Sequence, residues 1–254
     1  MQYRMGLRLG IWILLQAVTM PALAEGAFIE HFEAPPEQSG WRLSEYAHPG
    51  QWLDTRWAPK QVGQTEPGQL EIRLNPDFRT QKTFASGELR RRRTTHYGRY
   101  EAVLQAARGS GLNTAFFLYT GPHRGDPKDE IDFEFLGKDP RKVWINIYAD
   151  GEPMPGFAID LGFDAAAAPH LYALEWSADA IRWYADGRLL HEFTPEQGPL
   201  PTTPAQVYLS LWAGHPRIKG WLGFADPDME ARAVYHCVSF VPEGGQGSQC
   251  SDPS

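Results

Sequence analysis

Cysteine is scarce in this sequence: there are two in 254 residues, Cys237 and Cys250. That number excludes a small scaffold held together by many disulfides, and no cysteine or histidine spacing resembles a zinc site. A disulfide between the two cysteines would tie down the C-terminal tail and do little for the core, and two free thiols are the alternative. The sequence leaves both states open.

Long apolar runs and excess positive charge are also missing. The formal net charge is −7, so nucleic acid is not an expected partner. The apolar run Leu9–Met20 is shorter than the roughly 20 residues that cross a bilayer. It follows Arg4 and Arg8 and precedes the small-residue segment Ala22–Ala24, which is the pattern of a secretory signal. We predict a signal peptide at residues 1–24, with an uncleaved anchor as the alternative. The mature protein is then secreted or periplasmic and free of the membrane.

No segment has the pattern of a long amphipathic helix, whereas aromatic residues and turn formers are plentiful. There are 9 Trp, 10 Tyr, 13 Phe, 25 Gly and 21 Pro, which favours short strands joined by turns. Apolar or alternating segments recur at Tyr100–Gln105, Asn113–Tyr119, Glu130–Leu136, Val143–Tyr148, Leu171–Trp176, Ile181–Tyr184 and Val207–Trp212. Asp186-Gly187 between two such segments is a hairpin signal. We predict one all-β domain, a sandwich or barrel, over residues 25–242, and a flexible tail at 243–254.

The segment Asp129–Gly137, which reads DEIDFEFLG, carries three acids at alternate positions. Strand alternation places them on one face and three apolar residues on the other: Glu130, Asp132 and Glu134 against Ile131, Phe133 and Phe135. Neighbouring carboxylates repel one another unless some are protonated, paired with cations or used in chemistry. The segment is therefore predicted to be a central strand whose acids face a cleft.

Paired carboxyl groups suggest glycoside hydrolysis, which needs a nucleophile or base and an acid. Long Glu side chains four residues apart can approach the separation of roughly 5–5.5 Å that a retaining enzyme uses. Asp132, which lies between them, could share a proton with one of them and push their pKa values apart. A solvated acidic edge or a calcium site is the alternative, although the D-x-D-x-D-G calcium pattern is absent.

The strand Glu130–Pro140 resembles the active-site strand of glycoside hydrolase family 16, and its E-x-D-x-E spacing resembles that of the licheninases. Similar segments span about Phe28 to Pro242 and include Tyr97–Glu101, Lys142–Tyr148, Asp160–Asp164, Trp183–Gly187 and Leu211-Trp212. The resemblance implies a β-jelly-roll sandwich of two antiparallel sheets with a concave cleft for a polysaccharide. It also implies Glu130 as nucleophile, Asp132 as assisting carboxylate and Glu134 as general acid/base in a retaining double displacement.

The resemblance also implies residues that contact sugar: Glu88, Arg90, Asn146, Tyr148, Trp212 and Trp221. A surface ion pair is the alternative for Glu88 and Arg90, and burial between the sheets is the alternative for the two tryptophans. Trp144 shares a face with Asn146, and either the core or the cleft would suit it. Tyr46, Trp52 and Trp57 lie in a loop that resembles a lid over the donor side of the cleft.

Several positions depart from the licheninase pattern. Lys128 replaces a Trp two residues before Glu130, and beside the run Arg90–Arg93 it suggests a cationic subsite for an acyl- or acid-decorated exopolysaccharide. Solvated arginines on the surface are the alternative. Alternation sends Arg91 and Arg93 to the opposite face. Ser86 and Thr55 stand where the licheninases have a bridge between the lid loop and the strand before Glu88. No metal or cofactor is predicted; a structural calcium ion is the open alternative, and His236 in place of a calcium-binding Asp argues against it.

Three functions are consistent with the sequence. The first is a secreted, monomeric, retaining endo-β-glycanase that hydrolyses β-1,3/1,4-linked glucan or a related bacterial exopolysaccharide. The second is a transglycosylase that uses the same carboxylates but passes the glycosyl unit to a sugar hydroxyl. The third is a carbohydrate-binding sandwich, which needs aromatic residues but not the three acids.

Overall fold

A computed structural model describes residues 26–77 and 79–253, so the predicted signal peptide lies outside the described residues. The first strands are β1 (Phe28–Glu30), β2 (Trp41–Leu43), β3 (Tyr46–Ala47), β4 (Thr55–Trp57), β5 (Val62–Glu66), β6 (Gln69–Pro76), β7 (Phe84–Ser86), β8 (Glu88–Arg91), β9 (Gly98–Gln105) and β10 (Leu112–Thr120). They are followed by β11 (Asp129–Leu136), β12 (Lys142–Ala149), β13 (Glu152–Pro153), β14 (Phe157–Asp160), β15 (His170–Trp176), β16 (Ile181–Ala185), β17 (Arg188–Phe193), β18 (Gln206–Ala213), the short helix α1 (Lys219–Leu222) and β19 (Ala231–Pro242). No helix in this part of the chain is long and apolar enough to cross a membrane.

The strands form two sheets packed face to face, as the sequence predicted. The eleven-stranded back sheet has the order β17-β16-β15-β9-β19-β6-β7-β4-β3, with β1 beside β19 and β5 beside β6. The eight-stranded cleft sheet has the order β13-β12-β11-β10-β18-β8-β2, with β14 beside β12. Pairing is antiparallel apart from the parallel contact between β4 and β7. Strand β11 therefore lies inside its sheet, between β10 and β12.

Apolar side chains from both sheets fill the space between them. The face of β11 opposite the acids contributes Ile131, Phe133 and Phe135, all buried. Phe133 and Phe135 meet Tyr172 of the back sheet edge-on, with ring centroids 5.7 and 4.6 Å apart. Aromatic pairs of this geometry add to the stabilisation that burial of their area provides. The apolar half of the DEIDFEFLG alternation thus holds the acidic strand against the core.

Two polar groups of the back sheet also reach the cleft sheet. The indole of Trp183, on β16, donates a hydrogen bond of 3.1 Å to the backbone carbonyl of Asp132. The hydroxyl of Tyr235, on β19, lies 2.9 Å from the carbonyl oxygen of Ala115 and 3.1 Å from that of Ser210. Since buried polar groups are costly unless they are hydrogen-bonded, these contacts favour one relative position of the two sheets.

Turn residues behave as their chemistry requires. The predicted hairpin is present: Asp186 and Gly187 join β16 to β17 and both have positive φ, 45° and 77°, as a tight two-residue hairpin requires. A glycine is required at position 137, the end of the acidic segment, because there is no space for a side chain and not because of its φ angle. A Cβ there would lie 2.5 Å from the carbonyl oxygen of Gly109, so the turn after β11 needs a glycine.

The C-terminal tail is attached to the back sheet. Cys237 and Cys250 form a disulfide, which decides between the two states that the sequence left open. Ser251 donates from its backbone nitrogen and its hydroxyl to the carboxylate of Glu101, at 2.9 and 3.0 Å. The fully buried Glu101 also pairs with Arg99 at 2.7 Å. The tail therefore covers a buried charge on the side of the sandwich away from the cleft sheet.

Replacing both cysteines by alanine should lower the free energy of unfolding by about 2–3 kcal/mol, since the closed loop is short and its closure limits the unfolded chain. Denaturant titration measures this quantity. Wild-type protein under reducing agent is the control, and an unchanged unfolding midpoint in the double variant would contradict the expectation.

Candidate active site

The three acids of β11 line one open cavity of about 970 Å³ on the exposed face of the cleft sheet. Glu130, Asp132 and Glu134 all face it, as the alternation predicted. The fourth acid of the segment, Asp129, points elsewhere. It accepts hydrogen bonds from the backbone nitrogens of Asp150, Thr202 and Thr203 at 2.8 to 3.0 Å, so it anchors two loops at the start of the strand.

The strand register arranges the cleft residues in three rows across the sheet. The Glu130 row runs Tyr119, Glu130, Tyr148. The Asp132 row runs Arg90, Tyr208, Phe117, Asp132, Asn146. The Glu134 row runs Glu88, Ser210, Ala115, Glu134, Trp144, Ala158. Directly opposed side chains are neighbours, so residues far apart in the chain meet beside each acid.

Glu130 is paired with Lys128. The ammonium lies 2.8 Å from a carboxylate oxygen of Glu130 and 3.0 Å from the ring centroid of Tyr148. Burial raises the pKa of Glu130, and the charge of Lys128 opposes that rise. Lys128 was predicted to bind substrate; the structure places it in the cleft but gives its charge a partner within the protein. It is suited to keep Glu130 ionised.

Asp132 lies between the two glutamates. Burial, followed by the charges of Glu130 and Glu134, raises its pKa well above the usual range. The side-chain amide of Asn146 donates to it at 3.2 Å, which is a weak opposing effect. The raised pKa favours the protonated form of Asp132, which relieves the repulsion along the strand face.

Glu134 is also protonated at neutral pH, for a related reason. Burial raises its pKa to about 8, and a hydrogen bond from the side-chain amide of Asn113 at 2.6 Å lowers it. A proton on Glu134 and a negative charge on Glu130 are the starting states that an acid and a nucleophile need. The sequence did not indicate Asn113, because its position diagonal to Glu134 depends on the register between β10 and β11.

Glu88 and Arg90 lie in the cleft and do not form the surface ion pair considered as an alternative. The hydroxyl of Ser44 donates to Glu88 at 2.6 Å, and burial raises the pKa of Glu88 to about 7. Arg90 donates to the hydroxyl of Tyr208 at 3.3 Å. Arg91 points to the other face, as predicted, and its guanidinium lies 4.0 Å from the ring centroid of Phe28.

Three tryptophans form a wall at one end of the cleft. Trp144 meets Trp221 edge-on with ring centroids 6.0 Å apart, and Trp221 lies 6.0 Å from Trp212. They pack on a small apolar cluster of Leu136, Ile218 and Leu222, separate from the sandwich core. The structure therefore places Trp144, whose location the sequence left open, on the cleft side with the other two.

The lid loop also lines the cleft. Tyr46 and Trp52 are exposed there, whereas Trp57 is buried beneath them. Parallel pairing of β4 with β7 sets Trp57 opposite Ser86. Thr55 adds hydrogen bonds to the backbone of Ala213 at 2.8 and 3.1 Å. Backbone pairing and these hydrogen bonds thus hold the loop at Thr55 and Ser86, the positions where the sequence lacks the expected bridge.

Several cleft residues were not foreseen from the sequence. Phe117, Tyr119, His123, Tyr208 and His48 all line the main cavity. Phe117 and Tyr119 alternate with buried Phe116 and Leu118 along β10, so the strand pattern did carry a signal for them. Metal binding has no comparable support: within residues 26–77 and 79–253, no three His, Cys, Asp or Glu side chains are grouped to hold an ion. The expectation about calcium and His236 stays a prediction.

The sequence matches a known protein family over most of this fold. Residues 50–228 match Glycosyl hydrolases family 16. The chain belongs to glycosyl hydrolase family 16. That membership agrees with the all-β sandwich, the concave cleft and the acidic strand described above, and it makes the chain a licheninase-like glycoside hydrolase.

Proteins similar to this chain include bacterial β-glucanases. The β-glucanase of Bacillus subtilis is 38% identical over 218 residues, which cover 84% of this chain and 86% of that protein. The endo-1,3-1,4-β-glycanase ExoK of Rhizobium meliloti is 38% identical over 206 residues, covering 81% and 76%. The solved β-glucanase of Bacillus licheniformis superposes with a TM-score of 0.79 at 35% identity, covering 86% of this chain and 99% of that one.

Replacing Lys128 by Met should move the acidic limb of the kcat/KM profile to higher pH by about one to three units, the size expected when an opposite charge is lost beside a carboxylate. Glu130 must be ionised to act, and without the ammonium its pKa rises. Lys128→Arg keeps the charge and is the matched control. A Lys128→Met profile that coincides with the wild-type profile would contradict this role.

Replacing Asn113 by Ala should move the basic limb of kcat/KM, expected near pH 8 from the pKa of Glu134, upward by about one unit. The amide hydrogen bond favours the ionised form of Glu134, so its loss lets the acid keep its proton to higher pH. Asn75→Ala, on the back sheet, is the control. A basic limb that stays in place in Asn113→Ala would count against the assignment.

Proposed function

We propose that this protein is a secreted, retaining endo-β-glycanase that cleaves β-1,3/1,4-linked glucan or a related bacterial exopolysaccharide. The proposal rests on one observation: the surroundings of two carboxyl groups in one open cleft favour opposite protonation states. Glu130 is held ionised by Lys128 at 2.8 Å, and Glu134 is held protonated by burial. Asp132, protonated between them, lets both occupy one strand face.

In the first step, a carboxylate oxygen of Glu130 attacks the anomeric carbon. The glycosidic bond breaks, and the leaving oxygen takes the proton of Glu134, so a covalent glycosyl ester forms and one half of the glycan departs. As the ester forms, the negative charge of Glu130 is lost and Glu134 becomes negative. Lys128 then faces a neutral ester, while the cleft keeps one ionised glutamate throughout.

In the second step, Glu134 removes a proton from a water molecule as its oxygen attacks the anomeric carbon. The ester bond breaks, the electron pair returns to Glu130, and both carboxyl groups regain their starting states. Two inversions retain the anomeric configuration. The ammonium of Lys128 stabilises the departing carboxylate in this step, because it lies where the charge reappears.

The open shape of the cleft and the names of the relatives support an endo-acting enzyme on a long polysaccharide. Its walls combine aromatic side chains with a few polar groups such as Glu88 and Arg90, as carbohydrate-binding sites of this kind require. We place the mature protein outside the cytoplasm after cleavage of residues 1–24, acting as a monomer without cofactor or nucleic-acid partner. These last assignments rest on the sequence alone.

Transglycosylation by the same carboxylates is the second candidate. The wall of Trp144, Trp212 and Trp221 favours it in part, because aromatic rings at one end of the cleft could hold a sugar acceptor in competition with water. Product analysis with and without added oligosaccharide acceptor separates the two outcomes. Longer products formed at the expense of hydrolysis would indicate transfer.

Glu134→Gln should lower the rate of lichenan hydrolysis by about 10²–10⁴, the contribution of a positioned general acid/base, and Glu130→Gln should abolish turnover because an amide is a poor nucleophile. Reducing-sugar release gives the rates, and proton NMR of the first products shows whether the β-anomer is retained. Glu66→Gln on the back sheet is the matched control. Initial release of the α-anomer, or wild-type turnover in Glu130→Gln, would overturn the mechanism.

A further inference from the structure

A second cavity lies beyond the tryptophan wall. Its volume is about 490 Å³, and its lining includes the charged residues Lys138, Asp139 and Lys142 beside Trp144, Ala158 and Trp221. Trp144 and Trp221 also line the cleft that contains the three acids. The two spaces therefore share a wall, and a glycan that follows the cleft past Glu134 reaches the second cavity next.

The strand register explains why there is space beside Trp144. This residue is paired with Glu134 on one side and with Ala158 on the other. The methyl group of Ala158 leaves the cavity open next to the indole, where a larger side chain would fill it. Gly156 lines the cleft on the other side of the wall, where a Cβ would lie 2.5 Å from the indole nitrogen of Trp144. A small residue thus faces the indole from each of the two cavities.

The charge of the second cavity is positive. Lys142 is neutralised by Asp139 at 2.8 Å. The ammonium of Lys138 lies 3.4 Å from the backbone carbonyl oxygen of Gly220, and no described carboxylate lies within ion-pair distance of it. One uncompensated cation therefore stands beside two indoles, in a chain whose net charge is −7.

The direction of the glycan follows from the proposed roles of the acids, on which this inference rests. Glu130 attacks the anomeric carbon, and Glu134 protonates the oxygen of the leaving half. The leaving half therefore continues toward the Glu134 end of β11. Leu136 is the next residue on that face, and Lys138 follows it at the margin of the second cavity.

We propose that this cavity is an outer subsite for the leaving half of the glycan, and that it takes a glycosyl unit bearing a carboxylate. The sugar ring stacks against Trp144 and Trp221, and the carboxylate pairs with Lys138. The subsite selects an acid-decorated polysaccharide without placing a free cation at the catalytic centre, where Lys128 is committed to Glu130.

Lichenan and a partially carboxymethylated preparation of the same lichenan test the charge preference. Lys138→Met should lower kcat/KM on the carboxymethylated polymer, relative to lichenan, by about twofold to fivefold, the effect of one exposed ion pair. The difference should shrink at high salt, because exposed charges are screened. Lys60→Met, which removes a lysine charge outside both cavities, is the matched control.

Trp144→Ala tests the stacking surface. The variant should lose about tenfold more kcat/KM on lichenan than on a short aryl β-glycoside, because the aryl leaving group ends before the second cavity. Trp144→Phe should recover part of this difference. Two results would overturn the subsite while leaving the proposed glycanase intact. One is an equal loss of kcat/KM on lichenan and on the aryl glycoside in Trp144→Ala. The other is a ratio of kcat/KM between the two polymers that is the same in Lys138→Met and in Lys60→Met. Wild-type protein that cleaves neither polymer would instead overturn the proposed function.

Discussion

The crowding of three carboxyl groups, one buried and two half-buried, on one face of β11 is the constraint on which the site depends. Neither burial nor mutual repulsion permits all three to carry a charge. A negative charge is best tolerated on Glu130, because Lys128 lies 2.8 Å from it, and the raised pKa values of Asp132 and Glu134 favour their protonated forms. Electrostatics therefore favours one ionised and two protonated acids, which is also the division that a double displacement needs at its start.

The rest of the sandwich holds that strand in place. Its apolar face is fixed by Phe133 and Phe135 against the back sheet, and its backbone is fixed by the hydrogen bond from Trp183 to Asp132. A site whose acids are set by burial needs such support, because a small shift toward solvent would restore their ordinary pKa values. The rigid core and the chemistry are therefore coupled through one strand.

The aromatic residues have two separate roles that composition could not distinguish. Trp41, Trp176 and Trp183 are fully buried in the sandwich, whereas Trp144, Trp212 and Trp221 form a wall on the cleft side around a small apolar cluster of their own. Alternation predicted a shared face for Trp144 and Asn146 but not which side of the sheet that face would occupy. The side of the sheet on which Trp144 lies depends on the strands that pair with β12, namely β11 before it in the chain and β14 after it.

The sequence by itself determined which side chains share a face of a strand, because alternation with period 2 is a local property of the backbone. Glu130, Asp132 and Glu134 were therefore predictable as one surface. The turn at Asp186-Gly187 was predictable for a similarly local reason. Family resemblance added Glu88 and Arg90. Only the tertiary structure decided which residues of neighbouring strands lie opposite one another in the cleft. The register between strands such as β10 and β11 depends on packing and loop geometry, which the local sequence does not specify. That is why the Asn113 contact to Glu134 and the small residues beside Trp144 were not foreseen, and why Lys128, expected to face substrate, was found bound to Glu130.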